Sequence, residues 1–122
     1  MKRTYAGISE LQPYLIWPGA TARAVNGERL TLAVIDLEPD LPIAEHQHDN
    51  EQLGLVLKGG LTMVIGGVSQ SLKPGDTYVI PSNVRHSAHT AAEGATVIDV
   101  FAPIRADWET KERLPASAGQ WP

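Results

Sequence analysis

Turn-forming residues interrupt this chain of 122 residues at short intervals, with 11 glycines and 9 prolines spread along its length. Such residues break long helices, so the segments between them must be short. These segments are rich in valine, isoleucine, leucine and threonine, which favour extended strands. Many short strands separated by regular turns predict an all-β domain of the sandwich, jelly-roll or barrel type.

Seven segments are predicted to be strands, because turn signals such as Gly66-Gly67 separate them. The segments are 29–37, 52–57, 61–65, 68–72, 77–80, 86–90 and 96–101. The two tails, residues 1–18 and 105–115, remain ambiguous, and the second is expected to hold a short helix.

The composition excludes several classes of protein. Hydrophobic residues make up 43% and charged residues 20% of the chain, which is typical of a folded protein. The net charge of −4 lacks the basic surface that binding to nucleic acid or an anionic membrane requires. There is no cysteine, so disulfides, thiolate metal sites and cysteine nucleophiles are excluded. We expect one domain over residues 1–122 that binds neither nucleic acid nor membrane.

No targeting segment is expected at the N-terminus. Lys2 and Arg3 are not followed by an apolar stretch long enough for a signal peptide or a membrane span. A cytoplasmic protein is therefore the expectation.

The predicted strand at 52–57 is apolar on both faces. Successive residues alternate between the faces, with Leu53, Leu55 and Leu57 on one side and Gln52, Gly54 and Val56 on the other. In a domain of this size, one of the two faces needs a cover. We expect a homodimer through this sheet, and an N-terminal segment that covers it is the competing explanation.

All four histidines lie in two short segments of the chain. His46 and His48 are two residues apart, so both imidazoles project to the same side of an extended segment. Gln52 follows on the next strand, and His86 on a distant strand would complete a cluster inside a barrel. Such a cluster suits a divalent metal ion, whereas His89 is expected to point outwards. From spacing alone, histidines of exposed loops are the alternative interpretation.

Two segments resemble the two sequence motifs of the cupin family. Residues 39–59 match the first motif, with its ligands at His46, His48 and Gln52 and its glycine at Gly59. Residues 75–86 (GDTYVIPSNVRH) match the second, which ends in the last ligand, His86. The resemblance covers most of residues 30–103. It implies a cupin jelly-roll β-barrel with short irregular or helical tails, and one divalent metal ion held by these four ligands.

The match departs from the family pattern at a few positions. Asn83 stands where glycine is usual, Thr90 where asparagine is frequent, and the first motif lacks its opening glycine near Pro39. Gln52 replaces the usual glutamate, whereas Glu51 would face the opposite way on a strand. A site of three imidazoles and one amide leaves the ion's charge of +2 uncompensated. Such an ion is a strong Lewis acid and a good anchor for an anionic substrate.

A narrower resemblance involves residues 46–59 (HQHDNEQLGLVLKG), 79–88 and 99–105 (DVFAPIR). These segments are similar to those of the small pectin-degradation cupins called KdgF. That resemblance implies an enzyme that converts 4,5-unsaturated monouronates, released from pectin or alginate, to linear ketones. It also implies a metal ion, which can be Ni, Zn, Fe or Mn, and functional positions at Asp99, Phe101 and Arg105.

The chemistry of these three residues fits that activity. Asp99 and Phe101 share one face of the strand at 96–101. Inside a barrel, desolvation would raise the pKa of Asp99 and suit it to proton transfer. Phe101 would form an apolar wall, and Arg105 would pair bidentately with a substrate carboxylate. The alternative for Asp99 is an outward-facing acid, and the alternative for Phe101 is a core residue without a further role. For Arg105 it is a solvated surface charge.

Other functions stay open at this point. The segment 99–103 also resembles small cupins that cyclise aromatic polyketides, and a metal-dependent dioxygenase or a non-catalytic ligand-binding protein would use similar residues. The facing of Trp17, Tyr78 and Trp108 does not follow from the pattern, and the tail after Arg113 receives no role.

Overall fold

The computed structural model describes residues 4–122, so Lys2 and Arg3 and the prediction made from them lie outside the described residues. In this range the backbone forms eight strands and two short 3-10 helices. The strands are β1 (Tyr14–Trp17), β2 (Ala20–Asn26), β3 (Thr31–Leu37), β4 (Pro42–His46), β5 (Glu51–Ile65), β6 (Val68–Leu72), β7 (Thr77–Ile80) and β8 (His86–Ala102). The helices span Ile8–Glu10 and Ala106–Thr110. The all-β prediction is confirmed, and the second helix lies in the predicted tail.

The strands form one antiparallel sheet with the order β1-β2-β3-β8-β5-β6, while β4 also pairs with β8 and β7 with β5. Alternate residues of each strand point inwards and form the core, among them Ala33, Val56, Ile80, Val97 and Phe101. The two long strands β5 and β8 pair over most of their length and connect the two halves of the sheet.

Both long strands were predicted as two separate pieces. The predicted breaks fall near Gly59 in β5 and Gly94 in β8, where the strands bend without ending. The φ of Gly59 is +74°, and a side-chain carbon there would overlap the carbonyl oxygen of Gly94. Glycine at this position therefore permits two strands to cross closely. From the sequence, the same glycine predicts a turn between two strands.

The sheet also extends beyond the predicted barrel core of residues 30–103, because β1 and β2 precede it. Neither they nor β4 was predicted as a strand. In β2, Arg23 is buried although it is charged, and it interrupts the alternation of apolar and polar residues that predicts a strand. The start of β3 was also misplaced, since it begins at Thr31 after a turn in which the Gly27 N–H donates to the Leu30 carbonyl, at 2.8 Å.

The outer face of the sheet is partly apolar and exposed. Leu53 lies between Val79 and Val100 on the neighbouring strands, and 49% of Leu53 and 55% of Val79 are exposed. Leu55 shares this face, while Gln52, Gly54 and Val56 face inwards, as the alternation predicted. Residues 4–13 leave these side chains uncovered, so within the described residues the N-terminal segment is not their cover. No helix in the described range is long and apolar enough to cross a membrane.

Candidate functional site

Three histidines meet inside the sheet. His46 ends β4 directly opposite His86, the first residue of β8, and His48 lies in the loop between β4 and β5. Their ligand nitrogens lie within 4.8 Å of one another. His89, by contrast, is exposed, as its spacing predicted.

Backbone carbonyls orient all three imidazoles. The Nδ1 atoms of His46, His48 and His86 lie 2.8, 2.9 and 2.9 Å from the carbonyl oxygens of Ala44, Asn50 and Val84. A carbonyl only accepts hydrogen bonds, so each Nδ1 carries the hydrogen and each Nε2 presents a lone pair. This is the second layer of bonds that metal-binding histidines usually have.

The imidazoles of His48 and His86 are also in the protonation state that binds metal. Burial lowers the pKa of His86 to about 4. Burial is likewise the main reason for the lowered pKa of His48, and the positive charge of Arg105 adds to it. Both rings are therefore neutral at neutral pH, as metal coordination requires.

The contact between His48 and Gln52 suits a cation between the two side chains. The Nε2 of His48 lies 3.1 Å from the Oε1 of Gln52, while its Nδ1 faces a carbonyl oxygen. A neutral imidazole has one N–H, so one of these two contacts brings two lone pairs together. A cation bound by Nε2 and Oε1 would remove the conflict. The residues present therefore fit a divalent ion held by three imidazoles and one amide oxygen.

Asp99 lies beside this cluster. It is only 3% exposed, and its Oδ1 accepts a hydrogen bond of 2.6 Å from the Tyr78 hydroxyl. Burial raises the pKa of Asp99 to about 6, against the opposing effect of hydrogen bonds from Tyr78 and Gln52 and of the charge on Arg105. A carboxyl with such a pKa exchanges protons readily near neutral pH.

Arg105 follows β8 and reaches into the same cavity. Its guanidinium carbon lies 4.7 Å from the ring centre of Phe101 and 4.6 Å from that of Trp108. Its Nε and Nη2 donate to the two carboxylate oxygens of Asp107, at 3.0 and 2.9 Å. The side chain is 11% exposed, so it is not a solvated surface charge. A bidentate grip on a ligand would have to use Nη1, because Asp107 occupies the other edge.

All seven residues singled out in the sequence line one cavity: His46, His48, Gln52, His86, Asp99, Phe101 and Arg105. Trp17, Tyr78 and Trp108, whose facing was left open, line it too. Among the described residues, the buried indole N–H groups of Trp17 and Trp108 have no hydrogen-bond partner. Asp107 was missed, although an acid two residues after Arg105 was a visible signal.

The comparison with known proteins agrees with this architecture. Residues 33–101, more than half of the chain, match the Cupin domain family. The chain belongs to the cupin family. The resemblance inferred from the two motifs is thereby confirmed.

Individual cupins show more specific similarity. The pectin degradation protein KdgF of Dickeya dadantii (strain 3937) is 39% identical over 64 residues, which are 52% of this chain and 58% of that protein. The H2HPP isomerase of Bacillus subtilis is 33% identical over 64 residues, 51% of this chain and 27% of that protein. The match thus spans less than two thirds of either relative.

A solved structure is similar over a greater length. KdgF from a Halomonas species superimposes with a TM-score of 0.78 and 25% sequence identity, over 86% of this chain and 97% of that one. The jelly-roll fold expected from the motifs is therefore confirmed.

Proposed function

We propose that this cupin is a metal-dependent enzyme that opens the ring of 4,5-unsaturated monouronates and promotes their conversion to linear ketones. The observation that carries the proposal is the cavity in which three imidazoles, a buried carboxyl and a guanidinium meet. The similarity to KdgF proteins supports the class of substrate, which arises from pectin or alginate.

His46, His48, Gln52 and His86 would hold one divalent ion, with Ni, Zn, Fe and Mn as the candidates. When bound, the ion supplies Lewis-acid stabilisation of negative charge on substrate oxygens. Gln52 is neutral, so the ligands leave the charge of the ion available for an anionic substrate.

Asp99 is the proposed acid and base. Its carboxylate takes the proton from the anomeric hydroxyl while the bond between the anomeric carbon and the ring oxygen breaks. The former ring oxygen then carries an enolate next to the substrate carboxylate. The proton is returned to the neighbouring carbon, which gives the ketone. The overall reaction is an isomerisation, so it consumes no oxidant and no co-substrate.

Arg105 and Phe101 would position the substrate. The guanidinium lies against the aromatic rings with its Nη1 free of Asp107, so it has N–H groups for the substrate carboxylate. The buried ring of Phe101 supplies an apolar wall for the sugar ring. Together they would hold the labile bond near Asp99.

The test is the disappearance of the enol-ether absorbance of 4,5-unsaturated galacturonate. Metal-replete protein should accelerate the loss over the spontaneous rate without consuming oxygen. Metal-stripped protein and His46→Ala should not. A metal-replete protein that leaves the spontaneous rate unchanged would rule the proposal out.

The other candidate functions are distinguished by separate measurements on the same protein. Oxygen uptake with Fe(II) would favour a dioxygenase, and turnover of poly-β-ketones would favour a cyclase. Binding of uronates without turnover would favour a non-catalytic ligand-binding cupin.

We also propose that two copies of the chain pair through the outer face at Leu32, Leu53, Leu55 and Val79. These side chains are 37–55% exposed. Leu32 on β3, Leu53 on β5 and Val79 on β7 form one row, in which Val100 of β8 lies between Leu32 and Leu53. Such apolar faces are typical of subunit interfaces. Leu53→Lys should convert a dimer to a monomer in sedimentation experiments. A monomeric parent protein would contradict this. A cytoplasmic protein that binds neither membrane nor nucleic acid remains our prediction from charge and composition.

A further inference from the structure

We propose that Tyr78 is a positioning residue for the reaction, because its hydroxyl holds the Asp99 carboxyl in one orientation beside the metal ligands. This inference rests on the proposed function, in which Asp99 is the acid and base. The sequence left the facing of Tyr78 open and gave it no role, and its proposed effect is exerted through Asp99.

The strand register brings the two side chains together. Tyr78 on β7 lies opposite Gly54 on β5, and Gly54 lies opposite Asp99 on β8. Residues opposite each other on neighbouring strands point to the same face of a sheet. Tyr78, Gly54 and Asp99 therefore form one row on the inner face, and Ala33 on β3 extends it beyond Asp99.

Gly54 provides the space for this contact. A side-chain carbon at Gly54 would overlap the ring of Tyr78, including its hydroxyl end. The phenol thus crosses over the strand between itself and Asp99. No residue with a side chain fits at this position without displacing the ring.

The hydrogen bond restricts the carboxyl. The phenol has one hydrogen, and Tyr78 donates it to Oδ1 of Asp99 at 2.6 Å, with both side chains buried. The amide of Gln52 also hydrogen-bonds to Asp99. An ionised carboxylate has about four acceptor positions, so two remain for a substrate. Two donors from different strands fix the rotation of the carboxyl and so determine where those positions point.

The expected consequence is a lower kcat at nearly constant KM. Substrate binding depends on other groups, whereas proton transfer depends on the placement of the carboxyl. A misplacement of about 1 Å in an active site can reduce turnover by about 100-fold. Tyr78→Phe should therefore lower kcat by about 10- to 100-fold and change KM by less than about 2-fold.

Tyr14→Phe is the matched control. Tyr14 is also a buried tyrosine, 5% exposed against 7% for Tyr78, and its hydroxyl is hydrogen-bonded to Arg113. Removing this hydroxyl should cost similar stability without affecting kcat. Gly54→Ala is the second test variant, because it displaces the Tyr78 ring while the hydroxyl is retained. It should lower kcat in the same way as Tyr78→Phe, with unchanged metal content.

A second readout is independent of turnover. In the proton NMR spectrum of the metal-stripped parent protein, the Tyr78 hydroxyl should give a slowly exchanging resonance that is lost in Tyr78→Phe and shifted in Asp99→Asn. If the parent protein is inactive on uronates, the proposed function fails, and this resonance alone decides whether Tyr78 holds Asp99. An unchanged kcat in Tyr78→Phe, or the lack of the resonance in the parent, would overturn the inference.

Discussion

The two faces of one sheet bury charged groups in opposite ways. On the outer face, Arg23 and Asp36 lie beneath the C-terminal tail, and on the inner face Asp99 lies beside three histidines. Burial of a charge is costly unless it is paired and hydrogen-bonded. The two faces differ in whether the chain itself supplies all the partners.

On the outer face the partners are complete. Arg23 is 5% exposed and donates to Asp36 at 3.1 Å and to the Ser117 hydroxyl at 2.7 Å. Asp36 also accepts from the Thr96 hydroxyl and the Gln120 backbone N–H, at 3.0 and 3.1 Å. This arrangement attaches the tail after Arg113, to which the sequence assigned no role, to the sheet.

On the inner face, several buried polar groups lack a full set of hydrogen-bond partners within the described part of the chain. Asp99 is buried with two neutral donors and no ion pair among the described residues, His48 faces a second lone pair, and Trp17 and Trp108 have unpartnered N–H groups. A folded chain seldom leaves such groups unsatisfied. The comparison suggests that buried polar groups with a full set of partners stabilise the fold. Buried polar groups that lack partners mark a place where a ligand can bind.

The largest effect is expected from Asp99→Asn. Removing the proposed acid and base should lower kcat by about 1,000-fold, within the range for general acid–base catalysis, while metal content remains unchanged. Turnover of the uronate and metal analysis provide the two measurements. Asp36→Asn is the control on the outer face and should leave kcat intact. Turnover of Asp99→Asn within tenfold of the parent would contradict the comparison.

Arg23→Ala is expected to lower stability and to leave kcat unchanged. Removing one partner of a buried ion pair leaves the other charge uncompensated, so the free energy of unfolding should fall by about 3 kcal/mol. Urea denaturation measures the loss, and kcat per folded molecule should stay the same. A loss below about 1 kcal/mol would show that the outer pair is not structural.

The ionisation of Asp99 should change the free energy of unfolding by as much as the Arg23→Ala substitution or by less. The pKa of Asp99 rises from 3.8 to about 6 on folding, so the folded state favours the protonated carboxyl. The contribution of Asp99 to stability should therefore fall as the pH rises from about 4 to 6, at about 1.4 kcal/mol for each unit of difference in pKa. The lowered pKa of His86 acts in the opposite direction, equally in the parent and in an Asp99 variant. Asp99→Asn cannot ionise and escapes this loss.

The free energy of unfolding of metal-stripped Asp99→Asn should accordingly exceed that of the metal-stripped parent by roughly 2 to 3 kcal/mol at pH 8. At pH 4 the two proteins should not differ in this way. Thermal or urea unfolding at the two pH values measures the difference. An equal gain at both values would mean that burial of the charge is not its source.

The smallest effect is expected from Lys58→Ala. The Lys58 ammonium donates to the carbonyl oxygen of Pro122 at 2.6 Å, in an exposed position at the end of the tail. Exposed polar contacts contribute little, so the free energy of unfolding should change by less than about 0.5 kcal/mol. A larger loss would show that the end of the tail, and not only the buried pair, stabilises the fold.

The inner face was largely predictable because its pattern is local. Alternation along a strand placed Gln52 and Asp99 inside, and the spacing of His46 and His48 put them on one side. Tyr78 was less predictable, because both faces of β7 carry apolar or aromatic residues. Its facing follows only from the register with Gly54, which a single strand does not reveal.

The outer face was not predictable because its contacts are distant in sequence. The partner of Arg23 in the tail, Ser117, is 94 residues away, so nothing local in β2 indicates that this charge is buried. The bends at Gly59 and Gly94 likewise depend on two strands that cross. The clustering of His46, His48 and His86 could be predicted, whereas the hydrogen bonds that orient the three imidazoles come from the folded backbone.

The most direct test of the account is where the returned proton is placed on the substrate. In D2O, metal-replete protein should convert the unsaturated uronate to a ketone that carries one deuterium, on a single face of the carbon next to the ketone. Asp99→Asn and metal-stripped protein should give only the slow spontaneous product, with deuterium on both faces. A mixture of both faces from metal-replete protein would contradict the account, because protonation would then come from the solvent and not from a group held by the sheet.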